Sequence, residues 1–455
     1  MPTRGPAADS SAGSPPRSVR LPFFYGWVVV ASAFVTMGIG VNARTAFSLL
    51  FPPILDEFGW ERGLTAGAFA VGFVVSTPFS PWLGWLMDRR GVRTLMLLGV
   101  AMMGSGLALA TQITQPWHLY LTLGFLVSGG SLCLGYTGHA LFLPHWFVRQ
   151  RGLAMGIAFS GVGIGSIVLL PWAQHLITTR GWRTACVGLA LVMFAVLIPL
   201  NAIFPRRRPE DMGLLPDGAR AQPAGTSAVR PANVVDPVWA ATDWTLARAL
   251  RTARFWWVFI GFFTGLFAWY AIQVHQTKYL IDIGFRPEPA AFALGLVALM
   301  GVIGQIVMGH LSDRFGRELI WALGCVGFVA CFLFLLAMRA APTTSLLWAM
   351  VLCQGVLGYG MASVFAAIPA ELFQGPHYGK IFGTLSLATG FGSGAGPWVA
   401  GWLHDRTGDY VLAFEVGIAA SVISAVAIWL AAPRKVRLVA GRIPRHTAGV
   451  GRRSA

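Results

Sequence analysis

Charge is scarce in this chain. Asp, Glu, Lys and Arg supply 11% of its 455 residues, against about 25% in an ordinary soluble domain. So few charged groups could not cover a chain that is 55% hydrophobic if it were dissolved in water. Acidic residues are scarcer than basic ones, 18 against 34, which leaves a net charge of +16. In a soluble chain that excess would suggest nucleic acid; here the basic residues lie between apolar runs, the pattern of membrane orientation, and no nucleic-acid partner is expected. The five cysteines (Cys133, Cys186, Cys325, Cys331 and Cys353) stand singly in apolar stretches. Without a CxxC pair or a Cys/His cluster, neither a disulfide framework nor a metal site is expected. The chain also lacks a Walker motif, a nucleophile elbow and a metal-ligand cluster. An ATP-driven pump is therefore disfavoured, a membrane enzyme has no catalytic set to work with, and no cofactor is expected.

What is present is apolar length. A membrane helix needs about 20 predominantly apolar residues. Runs of that kind lie near 24–45, 64–87, 92–112, 117–141, 151–174, 181–204, 254–277, 289–312, 318–339, 344–368, 380–402 and 410–431. The expected fold is all-α and membrane-embedded, with twelve transmembrane helices. Residues 1–20, rich in Pro, Ser, Gly and Ala, are expected to be disordered, and the long first run is expected to be a membrane helix rather than a signal peptide. The domain plan is a half at 21–204, a polar linker at 205–252 that opens on Pro205-Arg206-Arg207-Arg208-Pro209, a second half at 253–432 and a basic tail at 433–455. Helical periodicity near the linker's end predicts a short amphipathic helix on the membrane surface, capped by Asp243. If both termini and the linker are inside, only Arg44, Arg62, Arg180, Arg183, Lys278, Arg286, Arg339 and Arg406 fall outside. The other 26 of the 34 Lys and Arg are then inside, which favours that orientation.

Two tight charged turns organise the halves. Gly84-Trp85-Leu86-Met87-Asp88-Arg89-Arg90-Gly91-Val92-Arg93 separates the second and third runs, and Gly309-His310-Leu311-Ser312-Asp313-Arg314-Phe315-Gly316-Arg317 separates the eighth and ninth. In each, a Gly precedes the Asp by four residues, an Arg follows the Asp, and a Gly turn leads to another Arg. This repeat resembles the loop between helices two and three of the major facilitator superfamily, echoed between helices eight and nine. The resemblance implies two pseudo-symmetric six-helix halves around a central cavity opened to each side in turn. Asp88 and Asp313 sit where a carboxylate can pair with an Arg or face the N-terminus of another helix. With Arg89, Arg93, Arg314 and Arg317 they are candidate gating residues, with a solvated turn as the alternative. A third string, Gly401 to Gly408, reads as an ordinary outer turn.

The string from His145 to Ala158 is similar to the helix-five signature of monocarboxylate-porter-like members. Tyr25-Gly26-Trp27 resembles a shortened form of their helix-one signature, and Arg208-Pro209-Glu210-Asp211-Met212-Gly213-Leu214-Leu215-Pro216-Asp217-Gly218 resembles the linker of bacterial members. The chain departs from the best-known lactate carriers in helix eight, where 289–308 carries Gln305 and no charged residue. The glycines of helices five and eleven (Gly152, Gly156, Gly161, Gly165; Gly390, Gly392, Gly394, Gly396) read as close-packing sites.

Polar residues inside apolar runs are costly in lipid and by default face a cavity. In this family helices one, four, seven and ten line it, which makes Asn42, Arg44, Tyr136, His139, Tyr270, Gln273, His275, Gln354 and Tyr359 candidate substrate-binding residues; the alternatives are interhelical hydrogen bonds and, for Arg44, snorkelling. Arg44 aligns with a basic residue of monocarboxylate carriers. The expected function is secondary transport of a small organic anion, a mono- or dicarboxylate, across a bacterial cytoplasmic membrane by a monomer embedded in the lipid bilayer. His139 and His275 are candidate carriers of a coupled proton, with uniport and exchange left open. Two other readings remain: an exporter of hydrophobic compounds, and a membrane sensor that binds without flux.

Overall fold

The computed structural model describes residues 23–60, 62–218 and 233–443. The expectations for 1–20, for the middle of the linker and for the last residues of the tail lie outside them. Lipid leaves an isolated apolar run one way to satisfy its backbone, which is the helix. The chain forms α1 (Gly26–Phe58), α2 (62–90), α3 (92–110), α4 (Pro116–Trp146), α5 (Arg151–Arg180), α6 (Trp182–Ile203), α7 (Ala253–Asp282), α8 (Pro287–Phe315), α9 (Arg317–Ala340), α10 (Thr344–Leu372), α11 (Tyr378–Thr407) and α12 (Val411–Ala431). Ten described stretches are long and apolar enough to cross a membrane. One of them, Thr77–Ala110, runs through the bend at Gly91 and holds parts of both α2 and α3. The glycine-rich α11 is 30 residues long but less apolar. The architecture is twelve helices in two halves, α1–α6 and α7–α12.

Gly91 is all that separates α2 from α3. Its φ of 79° is left-handed, a conformation glycine adopts without a Cβ clash. Gly316, with φ 111°, makes the matching turn between α8 and α9. The fourth helix of each half is irregular. In α4, wide turns over Tyr120–Val127 are followed by a break at Gly135; in α10, wide turns over Cys353–Gly358 lead into a tight turn at Tyr359–Met361. Non-helical backbone at membrane depth is tolerated where it lines a cavity or is buried in protein, and both breaks lie beside the central cavity described below. Large apolar side chains such as Ile167, Val168, Leu191, Leu333 and Val426 remain exposed on the outside, as a lipid-facing belt requires.

Within the halves α1 packs on α5 and α7 on α11; between them α2 packs on α11 and α5 on α8. These cross-half contacts are close. A Cβ on Gly84 of α2 would overlap the carbonyl of Gly379 on α11, and one on Gly156 of α5 would overlap the carbonyl of Gln305 on α8. The described linker and tail lie on the same face of the bundle as these contacts. Val234 and Arg437 pair as a single antiparallel bridge, and Leu438 N–H donates to the Asn233 carbonyl at 2.7 Å. The short linker helix Leu246–Leu250 is capped by Thr245, whose Oγ1 accepts from Arg248 N–H at 3.3 Å. This corrects the expected Asp243 cap: the helix begins later than its periodicity suggests. Beside it Trp244 is buried against Trp239 and Phe373, at ring separations of 4.4 and 5.3 Å, so this segment packs on the protein.

The close approach of α2 and α11 is testable. Gly84→Ala should lower the stability of the solubilised protein by about 1–3 kcal/mol, because the obstacle is backbone. Gly295→Ala, with nothing within 4 Å of the new Cβ, should be neutral or stabilising by up to about 1 kcal/mol. Equal melting temperatures for the two variants would show that α2 and α11 have room to spare.

Candidate functional site

A cavity of about 190 Å³ lies between the halves. The first half lines it with Arg44 from α1, Thr77 and Ser80 from α2, and Ser128, Ser131 and Tyr136 from α4. The second half contributes Trp269 and Tyr270 from α7, Trp321 from α9, Phe365 from α10, and Ser386, Thr389 and Ser393 from α11. Arg44 is the one charged side chain among the described lining residues. The Gly135 break puts α4 backbone at the wall and starts a new helical segment at Tyr136, which therefore faces the cavity.

Three of the nine candidate binding residues, Arg44, Tyr136 and Tyr270, line this cavity. The others lie elsewhere. Asn42 donates to Gly38 O and Val162 O, both at 2.8 Å, and ties α1 to α5. His139, three residues from Tyr136, is 1% exposed and pairs through Nδ1 with Gly135 O of its own helix at 3.0 Å. Gln273 Oε1 accepts the indole N–H of Trp269 at 3.1 Å, and Tyr359 stacks on Trp269 with centroids 4.4 Å apart, so both brace a lining residue from behind. His275 bridges the Tyr410 hydroxyl (3.2 Å) and the Pro397 carbonyl (2.9 Å). Gln354 is fully buried, with Oε1 3.6 Å from Cys331 Sγ and with Nε2 lacking a hydrogen-bond partner among the described residues.

On the linker face two carboxylates bridge the halves. Asp88, near the end of α2, accepts N–H bonds from Gly379 (3.2 Å) and Lys380 (3.0 Å) at the start of α11. Asp313, near the end of α8, accepts from Gly152 and Leu153 at the start of α5, both at 2.9 Å. Each carboxylate meets the unsatisfied amides and positive dipole end of a helix from the other half. The Arg pairings differ. Arg317 reaches Asp313 at 2.7 Å and Glu371 at 2.8 Å while 1% exposed. For Asp88 the partner is Arg207 of the linker, at 3.2 Å. Arg93 turns to Ile203 O (3.3 Å), Arg89 lies over the Trp85 ring, and Arg314 is exposed.

Sequence reasoning missed several participants. Glu371 lies 3.9 Å from Arg151 as well as beside Arg317, and its carbonyl accepts from Arg437. Burial, aided by the nearby Arg151, pushes the Arg437 guanidinium down to about 10, with Glu371 opposing. Arg207 and Arg208 reach carbonyls of the α10–α11 loop, Pro376 O at 3.3 Å and Gly375 O at 3.2 Å. The linker's first part is anchored on the first half: Trp146 donates to Arg206 O (3.0 Å), and Asp217 accepts the N–H groups of Val148 and Arg149 (3.0 and 2.9 Å). The motif running from Arg208 to Asp217 was the available signal.

Residues 28–368 match the family model of the Major Facilitator Superfamily. Monocarboxylate transporter 13 of Bos taurus is 28% identical over 399 residues, covering 86% of each chain. Monocarboxylate transporter 11 of Mus musculus is 28% identical over 421 residues, covering 90% of this chain and 88% of that one. Among solved structures, the transporter FucP in an outward conformation aligns with a TM-score of 0.63 at 16% identity, over 89% of this chain and 98% of that one. The proton:xylose symporter XylE aligns at 0.66 and 14%, over 89% and 95%. At these identities the structures speak for the fold alone.

The buried charges under the cavity generate a prediction. Glu371→Gln should destabilise the protein by about 3–5 kcal/mol, since it removes the carboxylate beside the buried Arg151 and one of the two that hold Arg317. Arg339→Gln breaks a pair with Asp409 in which the Arg side chain is 55% exposed and should cost about 0–1 kcal/mol. Thermal unfolding in one detergent compares them; a Glu371→Gln shift no larger than that of Arg339→Gln would remove the cluster from the list of stabilising contacts.

Proposed function

The chain belongs to the Major Facilitator Superfamily, and on that premise we propose that it carries a small organic anion, a carboxylate, across the membrane by alternating access. The observation that carries this reading is Arg44, the one charged side chain among the described residues lining the central cavity. A guanidinium offers a planar donor fork matched to a carboxylate. The relatives named as monocarboxylate transporters support the same substrate class. The cavity, at about 190 Å³, is smaller than the roughly 300–1,000 Å³ pockets that take drug-sized ligands, which weighs against an exporter of large hydrophobic compounds.

Alternation, on this reading, works through the two carboxylate clamps. With Asp88 and Asp313 bound to helix starts of opposite halves, the linker face is shut. Opening that face must break both sets of N–H bonds together with the arginine contacts around them. We place the linker face in the cytoplasm, from the Lys and Arg distribution. His139 is packed against its own helix and His275 is engaged by Tyr410 and Pro397. Neither stands among the described lining residues, so the proposal routes no proton through them.

Two outcomes test it. A hydrogen bond to a charged group is worth about 1.5–3 kcal/mol, so Arg44→Gln should weaken binding of a carboxylate by about tenfold to a hundredfold, with Arg44→Lys between it and the parent. Competition assays on purified variants of matched stability measure this; unchanged affinity in Arg44→Gln sinks the anion assignment. Asp88→Asn and Asp313→Asn should alter the rate of vesicle transport more than substrate affinity, since neither lines the cavity. If both variants transport at the parent rate at equal protein levels, the clamps are structural only.

A further inference from the structure

The cavity has two unlike walls. The wall from the first half is polar and cationic, with Arg44, Ser128, Ser131 and Tyr136. The second half contributes the partly exposed Trp269, the buried Trp321 and Phe365, and the hydroxyls of Tyr270, Ser386, Thr389 and Ser393. Indole N–H groups would make those tryptophans polar, but both are already used: Trp269 donates to Gln273 Oε1 at 3.1 Å, and Trp321 donates to Ser424 Oγ at 2.9 Å. What the tryptophans have left to offer a ligand is ring surface, chiefly that of Trp269. It is also braced. Trp269 stacks on Tyr359 and meets Phe328 at 5.4 Å. Phe262 backs both Trp321, at 5.2 Å, and Phe365, at 4.7 Å. A braced aromatic wall needs little ordering on binding, so its contacts go into affinity instead.

Resting on the anion reading above, we propose that the substrate is an aryl monocarboxylate, a single carboxylate held by Arg44 with a planar ring laid against Trp269. One cation among the described lining residues matches one negative charge, so a second carboxylate has no described partner in the cavity. A short aliphatic acid satisfies Arg44 and leaves the ring wall unused. An aryl acid uses both walls, through offset or edge-to-face ring contacts and burial of its apolar body. The small cavity volume suits one ring with a short acid arm.

The probes are phenylacetate, cyclohexylacetate, acetate and the neutral 2-phenylethanol, titrated calorimetrically into the purified full-length protein. In the parent, phenylacetate should bind about tenfold or more tighter than acetate, and tighter than cyclohexylacetate, which has similar bulk without a π-face. Trp269→Leu should bring phenylacetate down to the level of cyclohexylacetate while leaving acetate unchanged. Trp269→Phe, which keeps a ring, should recover most of the preference and guards against a folding defect in the Leu variant. If phenylacetate binds no better than cyclohexylacetate in the parent, or if Trp269→Leu leaves the preference intact, the aryl assignment is wrong. The anion reading survives that result as long as Arg44→Gln still weakens all three acids. If 2-phenylethanol binds as well as phenylacetate and Arg44→Gln changes nothing, the anion reading falls and takes the aryl assignment with it.

Discussion

A carboxylate of one half bound to the N-terminal amides of a helix in the other is the contact on which the linker face depends. The first amides of any helix have no partner inside it, and the helix dipole places positive charge at the same point. Asp313 fills that position for α5, and Asp88 for α11. A carboxylate reaches two successive amides only if the helix ends nearly touch, so the glycine content of these regions follows from the clamp. Gly84 meets Gly379 and Gly152 meets Gly309 at distances that leave no room for a Cβ. Because both clamps join opposite halves, full separation of the halves on this face requires breaking both.

The two clamps have the same anion and acceptor geometry but different cations. In the second half Arg317, the first residue of α9 after the Gly316 turn, folds back onto Asp313 and pairs with it directly. In the first half the corresponding Arg93 follows Asp88 by five, with the Gly91 turn between them, and it points to Ile203 O instead. Arg93 thus enters α3 one residue later after its glycine turn than Arg317 enters α9. The vacancy is filled from the linker by Arg207, which holds Asp88 and also the carbonyl of Pro376 in the other half. The first part of the linker, pinned to the first half through Arg206 and Asp217, therefore belongs to the closure as well as joining the halves covalently.

How far the sequence could be read follows from the solvent. Lipid demands long apolar helices, so twelve runs were legible, and the paired Asp turns stood out because the same pattern occurs twice. Asp243 misled because a polar residue two positions early looks as good a cap as Thr245. The cavity was less legible. A polar side chain in an apolar run can be satisfied by a neighbouring helix or by a cavity, and both look alike in sequence. Asn42 binds Val162 O on α5, Gln273 braces Trp269, and Arg44 borders the cavity, yet all three look equally out of place in an apolar run. Ser386 and Ser393 went unnoticed for the opposite reason. Their hydroxyls donate to Phe382 O and Thr389 O one turn back, so they carry little cost in lipid and leave no mark in the composition. Trp269 and Trp321 were hidden among 18 tryptophans, and only their position distinguishes them.

The unlike walls bear on how binding could drive the transport cycle. A ligand shifts an equilibrium between two states only by the difference in its affinity for them. A ligand held by one half alone keeps its contacts however the halves move, and so cannot shift that equilibrium. Arg44 belongs to the first half, and the aromatic wall to the second. A ligand that needs both is held fully only when the halves stand at the right separation around it, and it loses one wall or the other when they part. Its binding energy then depends on their relative position, as does that of the two clamps on the linker face. Cavity and clamps respond to the same coordinate, the displacement of one six-helix half against the other. On the proposed reading, that common dependence would link occupying the site to opening the linker face, with no need for a chain of contacts running from Arg44 to Asp88 or Asp313.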